Sequence, residues 1–120
     1  MDEKANRWNR FINEICDKEL SELTPVQRKA VICYHYMNEM YSGGFGCYFD
    51  SDLKAEPDEL YNALTEVGNK EYADNFREAL LPEAEENEYE DADSAFNDIE
   101  PELDKLLEEY VENNKALIFV

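Results

Sequence analysis

Residues 24–50 read TPVQRKAVICYHYMNEMYSGGFGCYFD, and this stretch decides the fold class. Val26, Ala30, Cys33, Met37 and Met40 recur at helical spacing, so one face of a long helix is apolar. Thr24 is a favoured N-cap residue, and Pro25 follows at the first helical position, where its missing N–H is not needed. Gly43-Gly44 closes the helix at its other end. Phe45, Tyr48 and Phe49 then read as core plugs beside the turn. A phosphate cradle would want a strand before the glycines and a nearby Lys, so helix termination is the better account of Gly43-Gly44-Phe45-Gly46.

The same period extends outward in both directions. Trp8, Phe11, Ile12, Ile15 and Cys16 form a stripe, as do Leu60, Ala63, Leu64 and Val67. Tyr72, Phe76 and Leu80 form another, and Leu103, Leu106, Leu107, Tyr110 and Val111 a further one. Pro57 opens a helix that Gly68 ends; Pro82 stops the helix that begins near Lys70; Pro101 starts the last long one. Only residues 117–120, Leu-Ile-Phe-Val, read as a strand or an apolar tail, and they are a candidate dimer contact because four apolar residues at an end seek cover. With no repeat and no linker, the expectation is an all-α protein. It forms a single compact domain over 1–120, of about five long helices plus short helical segments.

Composition narrows the function. The 120 residues hold 11 Lys and Arg against 30 Asp and Glu, a net charge of −19. Such a chain repels phosphate, which argues against a nucleic-acid binder. It has no apolar run of the roughly 18 residues that a membrane span needs and no secretory pattern, so a cytoplasmic protein is expected. Cys16, Cys33 and Cys47 fit no zinc spacing and read as reduced thiols, two of them on apolar helix faces.

Catalytic and metal chemistry find little support. His35, in Cys33-Tyr34-His35-Tyr36, is the only histidine and lacks the partners of a triad or a metal site. Acid pairs abound, but an acid/base pair needs a pocket that drives two pKa values apart. Asp50-Ser51-Asp52 starts like a calcium loop, yet Ala55 stands at the sixth position and Tyr61 at the twelfth. Asp91-Ala92-Asp93 ends suitably at Glu102, yet has Ala95 and Phe96 where a ligand and a turn-making Gly belong. The reading is no enzyme, no catalytic residue, no metal and no cofactor.

The distribution of charge is the informative feature. Residues 1–40 carry −1, residues 41–78 carry −6, and residues 79–120 carry −12. On the last helix, Asp104, Glu108 and Glu112 fall at i, i+4, i+8, with Glu102 and Glu109 close by. Glu83, Glu85, Glu86, Glu88, Glu90, Asp91 and Asp93 form a second dense run. Helix neighbours at i, i+4 lie about 5–6 Å apart, a pitch similar to that of phosphates rising ~3.4 Å per nucleotide along one strand. Like charges so placed cost a helix roughly 0.2–0.5 kcal/mol per pair. A charge run is often only a solvated face, but an uncompensated one suits a cationic partner.

Residues 28–50, with Glu39, Gly43, Gly44, Phe45, Tyr48 and Phe49 in that order, resemble a bacterial family of DNA-mimic proteins, a domain of unknown function with a Gly-Gly-Phe signature. The helix that ends at Gly68 resembles the family's next element, and the likeness runs over about 20–111. The chain has Tyr41-Ser42 where the family commonly has two Asn, and Cys47 where it commonly has Gln. The resemblance implies an all-α cytoplasmic protein, often a dimer, whose negative surface stands in for DNA and occupies a transcription factor.

The expected function is therefore an acidic interaction protein that mimics DNA on the basic surface of a DNA-binding protein. The expected partner-binding residues are Glu102, Asp104, Glu108, Glu109 and Glu112, then Glu85, Glu86, Glu88, Glu90, Asp91 and Asp93. The alternatives are an immunity-type or regulatory partner of a basic toxin, or a small enzyme built on the Gly-Gly-Phe region.

Overall fold

A capping box opens the longest helix of the computed structural model, which describes residues 2–120. The Thr24 side chain accepts from the Gln27 N–H at 3.3 Å, while Gln27 Oε1 accepts from the Thr24 N–H at 3.0 Å. Two of the helix's orphan donors are thereby satisfied at once. The helix, α2, runs over Pro25–Asp50. Before it come α1 (Glu3–Arg10), a π-helical turn (Phe11–Ile15) and a 3-10 turn (Leu20–Glu22). After it come α3 (Pro57–Val67), α4 (Lys70–Ala79), α5 (Pro82–Glu86), α6 (Glu90–Asp98), α7 (Leu103–Asn113) and α8 (Lys115–Ile118). The described residues contain no strand, and the architecture is all-α as the periodicity indicates.

The apolar stripes bury as their spacing requires. Val31, Cys33, Tyr36, Leu60, Leu64, Leu103 and Leu107 have essentially no exposure, and all belong to one core. The centre of that core is aromatic. The Tyr36 ring meets Tyr48 at 5.0 Å, Phe76 at 5.9 Å, Phe45 at 6.2 Å and Phe96 at 6.2 Å, mostly edge to face. Such contacts add about 0.5–1.5 kcal/mol each beyond the area they bury. Rings from three helical segments, the end of α2, α4 and α6, thus converge on one side chain of α2.

The Gly43-Gly44 pair does more than end a helix. Gly43 (φ −167°, ψ 15°) and Gly44 (φ 76°, ψ −160°) break α2, and the chain resumes helical geometry through Asp50. At the break the Phe45 N–H donates to Asp93 Oδ1 at 2.8 Å. A Cβ added to Gly44 would lie 2.4–2.6 Å from the Asp93 carboxylate. The glycine conformation is one that only Gly adopts without strain, and the missing side chain lets α6 bring a carboxylate onto the exposed amide. Asn75 pins α6 from the other side, its Nδ2 donating to the Ala92 carbonyl at 3.0 Å.

Two local expectations change. The C-terminal Leu-Ile-Phe-Val is neither strand nor loose tail. Its first two residues complete α8, Ile118 is fully buried, and Gln27 Nε2 donates to the Ile118 carbonyl at 2.7 Å. Phe119 lies under the Arg10 guanidinium at 5.2 Å. Half of the apolar end is therefore covered within the chain itself. The last long helix starts at Leu103, two residues after Pro101.

Gly44→Ala is expected to lower unfolding stability by about 2–4 kcal/mol, from backbone strain together with loss of the carboxylate cap. Gly46→Ala, where an added Cβ meets nothing within 4 Å, is expected to raise it by about 0.5–1 kcal/mol. Urea denaturation followed by helical circular dichroism measures both. Equal changes at the two positions would contradict the role given to Asp93.

Candidate functional site

The acid-rich segment after Ala79 is folded. Pro82 begins α5 at its first helical position, and α5 ends where Tyr89 N–H bonds back to the Ala84 carbonyl at 2.8 Å and Glu88 N–H to the Glu85 carbonyl at 3.0 Å. Glu88 (φ 58°) and Tyr89 (φ 62°) are left-handed, the geometry that commonly closes a helix, with Gly preferred in such a place. The Tyr89 ring compensates by packing on Phe49 at 5.4 Å and Phe45 at 6.3 Å. Ala92 and Phe96 hold α6 to the core. Glu83, Glu85, Glu86, Glu88, Glu90 and Asp91 are all exposed.

The two remaining groups behave differently. Asp93 is half-buried and occupied by the Phe45 N–H, so its carboxylate serves the fold rather than an open surface. The row Asp104, Glu108, Glu112 lies on a half-buried strip of α7, while Glu102 and Glu109 are exposed. At the far end of the row, α1 packs against α7 and Arg7 grips Glu112 with a two-pronged contact, Nε to Oε2 at 2.9 Å and Nη2 to Oε1. Lys115 adds a third cation contact at 3.4 Å. A recess of about 300 Å³ between α1 and α7 is lined by Trp8, Asn9, Glu108 and Glu112, with Lys4 at its edge. The evenly pitched row is thus half-buried and without an ion pair among the described residues at Asp104 and Glu108, and neutralised at Glu112.

Cations and anions are segregated. Arg7, Arg10, Arg28, Lys29, Lys70 and Lys115 each pair with a carboxylate. Lys54 caps the carbonyls of Phe49 and Ser51, and Arg77 stacks on Tyr61 at 3.7 Å. Between Arg77 and Lys105 the chain contains no Lys or Arg and twelve acids. Among the described residues no ion pair involves any acid from Glu78 to Glu109. Asp98 and Glu100 belong to the same unpaired exposed set, although neither falls in the two runs that the sequence picks out.

The other candidate chemistry is sparse. His35 is half-buried, and burial lowers its pKa against an opposing pull from Glu39. It lines a shallow recess with Cys16, Leu20 and Leu53. Cys16 and Cys33 are buried, which pushes the Cys16 thiol to about 12 and Cys33 higher still. Cys47 donates to Glu39 at 3.0 Å, and that hydrogen bond to a carboxylate raises its pKa. Among the described residues no three His, Cys, Asp or Glu side chains are placed to hold a metal ion. No described helix is long and apolar enough to cross a membrane.

Residues 21–116 match the family described as DMP19-like protein. No curated protein and no solved structure matches the chain. The matched segment takes in both acidic groups, and leaves out α1 with its Arg7.

The Arg7 contact yields a pH test. Hydrogen bonding to Arg7 holds the Glu112 pKa down at about 2, below the ordinary 4.5. A depressed folded-state pKa contributes stability above the unfolded value, and that stability is lost as pH falls from 4.5 toward about 2. Glu112→Gln is therefore expected to melt at a lower temperature than the parent at neutral pH, with the gap closing as acid approaches about pH 2. Melting curves across that range check it, and a gap that stays constant would contradict the ion pair.

Proposed function

The chain belongs to the DMP19-like protein family, a family of DNA-mimic type, and on that premise we propose that it occupies the basic DNA-binding surface of a partner protein. The observation that carries the reading is the unpaired acidic segment 78–109, held on folded helices rather than on loose chain. A backbone already folded into helices adds no ordering cost of its own when a partner binds, and only the side chains remain to be ordered. The mechanism is competition: carboxylates take the places of phosphates on Lys and Arg side chains, and DNA is displaced.

The binding group differs from the evenly pitched row on α7. Glu83, Glu85, Glu86, Glu88, Glu90 and Asp91 on the α5–α6 corner are exposed and unpaired, as are Glu102 and Glu109. Asp104 and Glu108 stand at the margin. Asp93 and Glu112 are engaged inside the molecule and contribute charge at a distance only. Exposed carboxylates of this kind raise association rate and specificity more than they raise affinity, and salt screens them.

A DNA-binding protein recovered on the immobilised chain should bind with an affinity that falls at least about ten-fold between ~0.1 and ~0.5 M salt. Neutralising Glu83, Glu85, Glu86 and Glu90 together to Gln should weaken it by about ten-fold or more, at roughly 0.5 kcal/mol per exposed charge. Fluorescence anisotropy with a labelled duplex reads the competition. Simultaneous binding of duplex and chain to the partner would refute mimicry.

A further inference from the structure

Where α2, α4, α6 and the start of α7 meet, a recess of about 210 Å³ opens to solvent. Its walls are aromatic: Tyr41 from the end of the first half of α2, Tyr72 from α4 and Phe96 from α6. Phe96 holds the other two edge to face, Tyr72 at 5.4 Å and Tyr41 at 6.1 Å. Glu102 and Asp104 stand at its edge. We propose that this recess receives the guanidinium of an arginine side chain from the basic partner, an assignment that rests on the interaction reading above and names its anchor point.

Three features favour that occupant. The first is charge: neither Glu102 nor Asp104 is in an ion pair among the described residues. Lys105 lines a neighbouring recess with Glu100, Pro101 and Glu102, and does not line this one. The second is the walls. Tyr41 is 52% exposed, a large aromatic left at the surface amid negative charge. The Tyr72 hydroxyl is already committed, within 3.1 Å of the Pro101 carbonyl and 3.3 Å of that of Ile99, and its ring is buried, so Tyr41 is the aromatic face that a ligand meets. The third is field. Burial raises the pKa of both phenols, and Asp104 and Glu102 add to the rise, bringing Tyr72 to about 12.

Arginine satisfies all three. Its planar, weakly hydrated cation stacks on aromatic rings and presents a fork of N–H donors to carboxylates. Lysine is a compact and strongly hydrated charge that stacks poorly. A phosphate is repelled. A divalent cation wants six or more oxygens and finds two side-chain carboxylates.

The probe is acetylated hexa-arginine amide, titrated into the isotope-labelled full-length chain and compared with the hexa-lysine peptide of equal charge. The expected result is an affinity for the arginine peptide at least about five-fold tighter, with NMR shifts focused on the Tyr41 and Phe96 rings. Tyr41→Ala and Asp104→Asn should each remove most of that preference, while leaving the lysine affinity within about two-fold. Circular dichroism establishes that both variants fold, and Glu102→Gln serves as a third if either does not.

Equal affinity for the two peptides, or shifts confined to residues 83–91, would overturn the assignment. If the salt-sensitive displacement of duplex persists in that event, the interaction reading stands without its anchor. If the arginine preference is found but duplex and chain bind the partner together, the recess stands and the mimicry reading fails.

Discussion

A single carboxylate, that of Asp93, lies against a single backbone amide, that of Phe45, and the placement of the acidic segment depends on it. The contact exists because Gly44 offers no Cβ and takes a left-handed φ that other residues adopt only under strain. Together with Asn75 it fixes α6 to the middle of the molecule, and α6 in turn orients the corner that carries Glu83 through Asp91. An acid that looks like one more member of a charge run is the means by which the run is held in place.

The wider economy of charge follows from the same separation of tasks. A chain of −19 must fold against its own repulsion. It does so by an aromatic centre around Tyr36 and by spending its cations almost entirely outside the most acidic stretch. Arg28 on Glu59 and Lys29 on Glu66 join α2 to α3, and Arg7 on Glu112 joins α1 to α7. What is left over, from Glu78 to Glu109, is in no ion pair among the described residues, and Asp93 is tied instead to a backbone amide. The Gly-Gly-Phe motif and the anionic surface are thus one device, since the first immobilises the second.

Local signals were legible and long-range ones were not. Thr24-Pro25, Pro57 and Gly68 speak for their own backbone, and each marks a helix boundary in the structure. The stripes on α2, α3, α4 and α7 show because three or more apolar positions repeat at helical spacing. Helix α6 was hidden in an acid run with only Ala92 and Phe96 buried, and α8 was hidden in four apolar residues too short to show a period. The tasks of Asp93 and Glu112 lie with partners 48 and 105 residues away, so no spacing rule reaches them. The recess at Tyr41 was likewise out of reach, because it joins four elements that the chain visits separately.

The turn between α5 and α6 has one more implication. Glu88 takes a left-handed backbone where glycine would be relaxed, at an expense of about 1–2 kcal/mol for a residue with a Cβ. Its side chain is exposed and in no ion pair among the described residues. A sequence chosen to relieve backbone strain alone would place glycine there. This one accepts that expense, and the connection between α5 and α6 carries a carboxylate into solvent where a bare backbone would serve the turn alone.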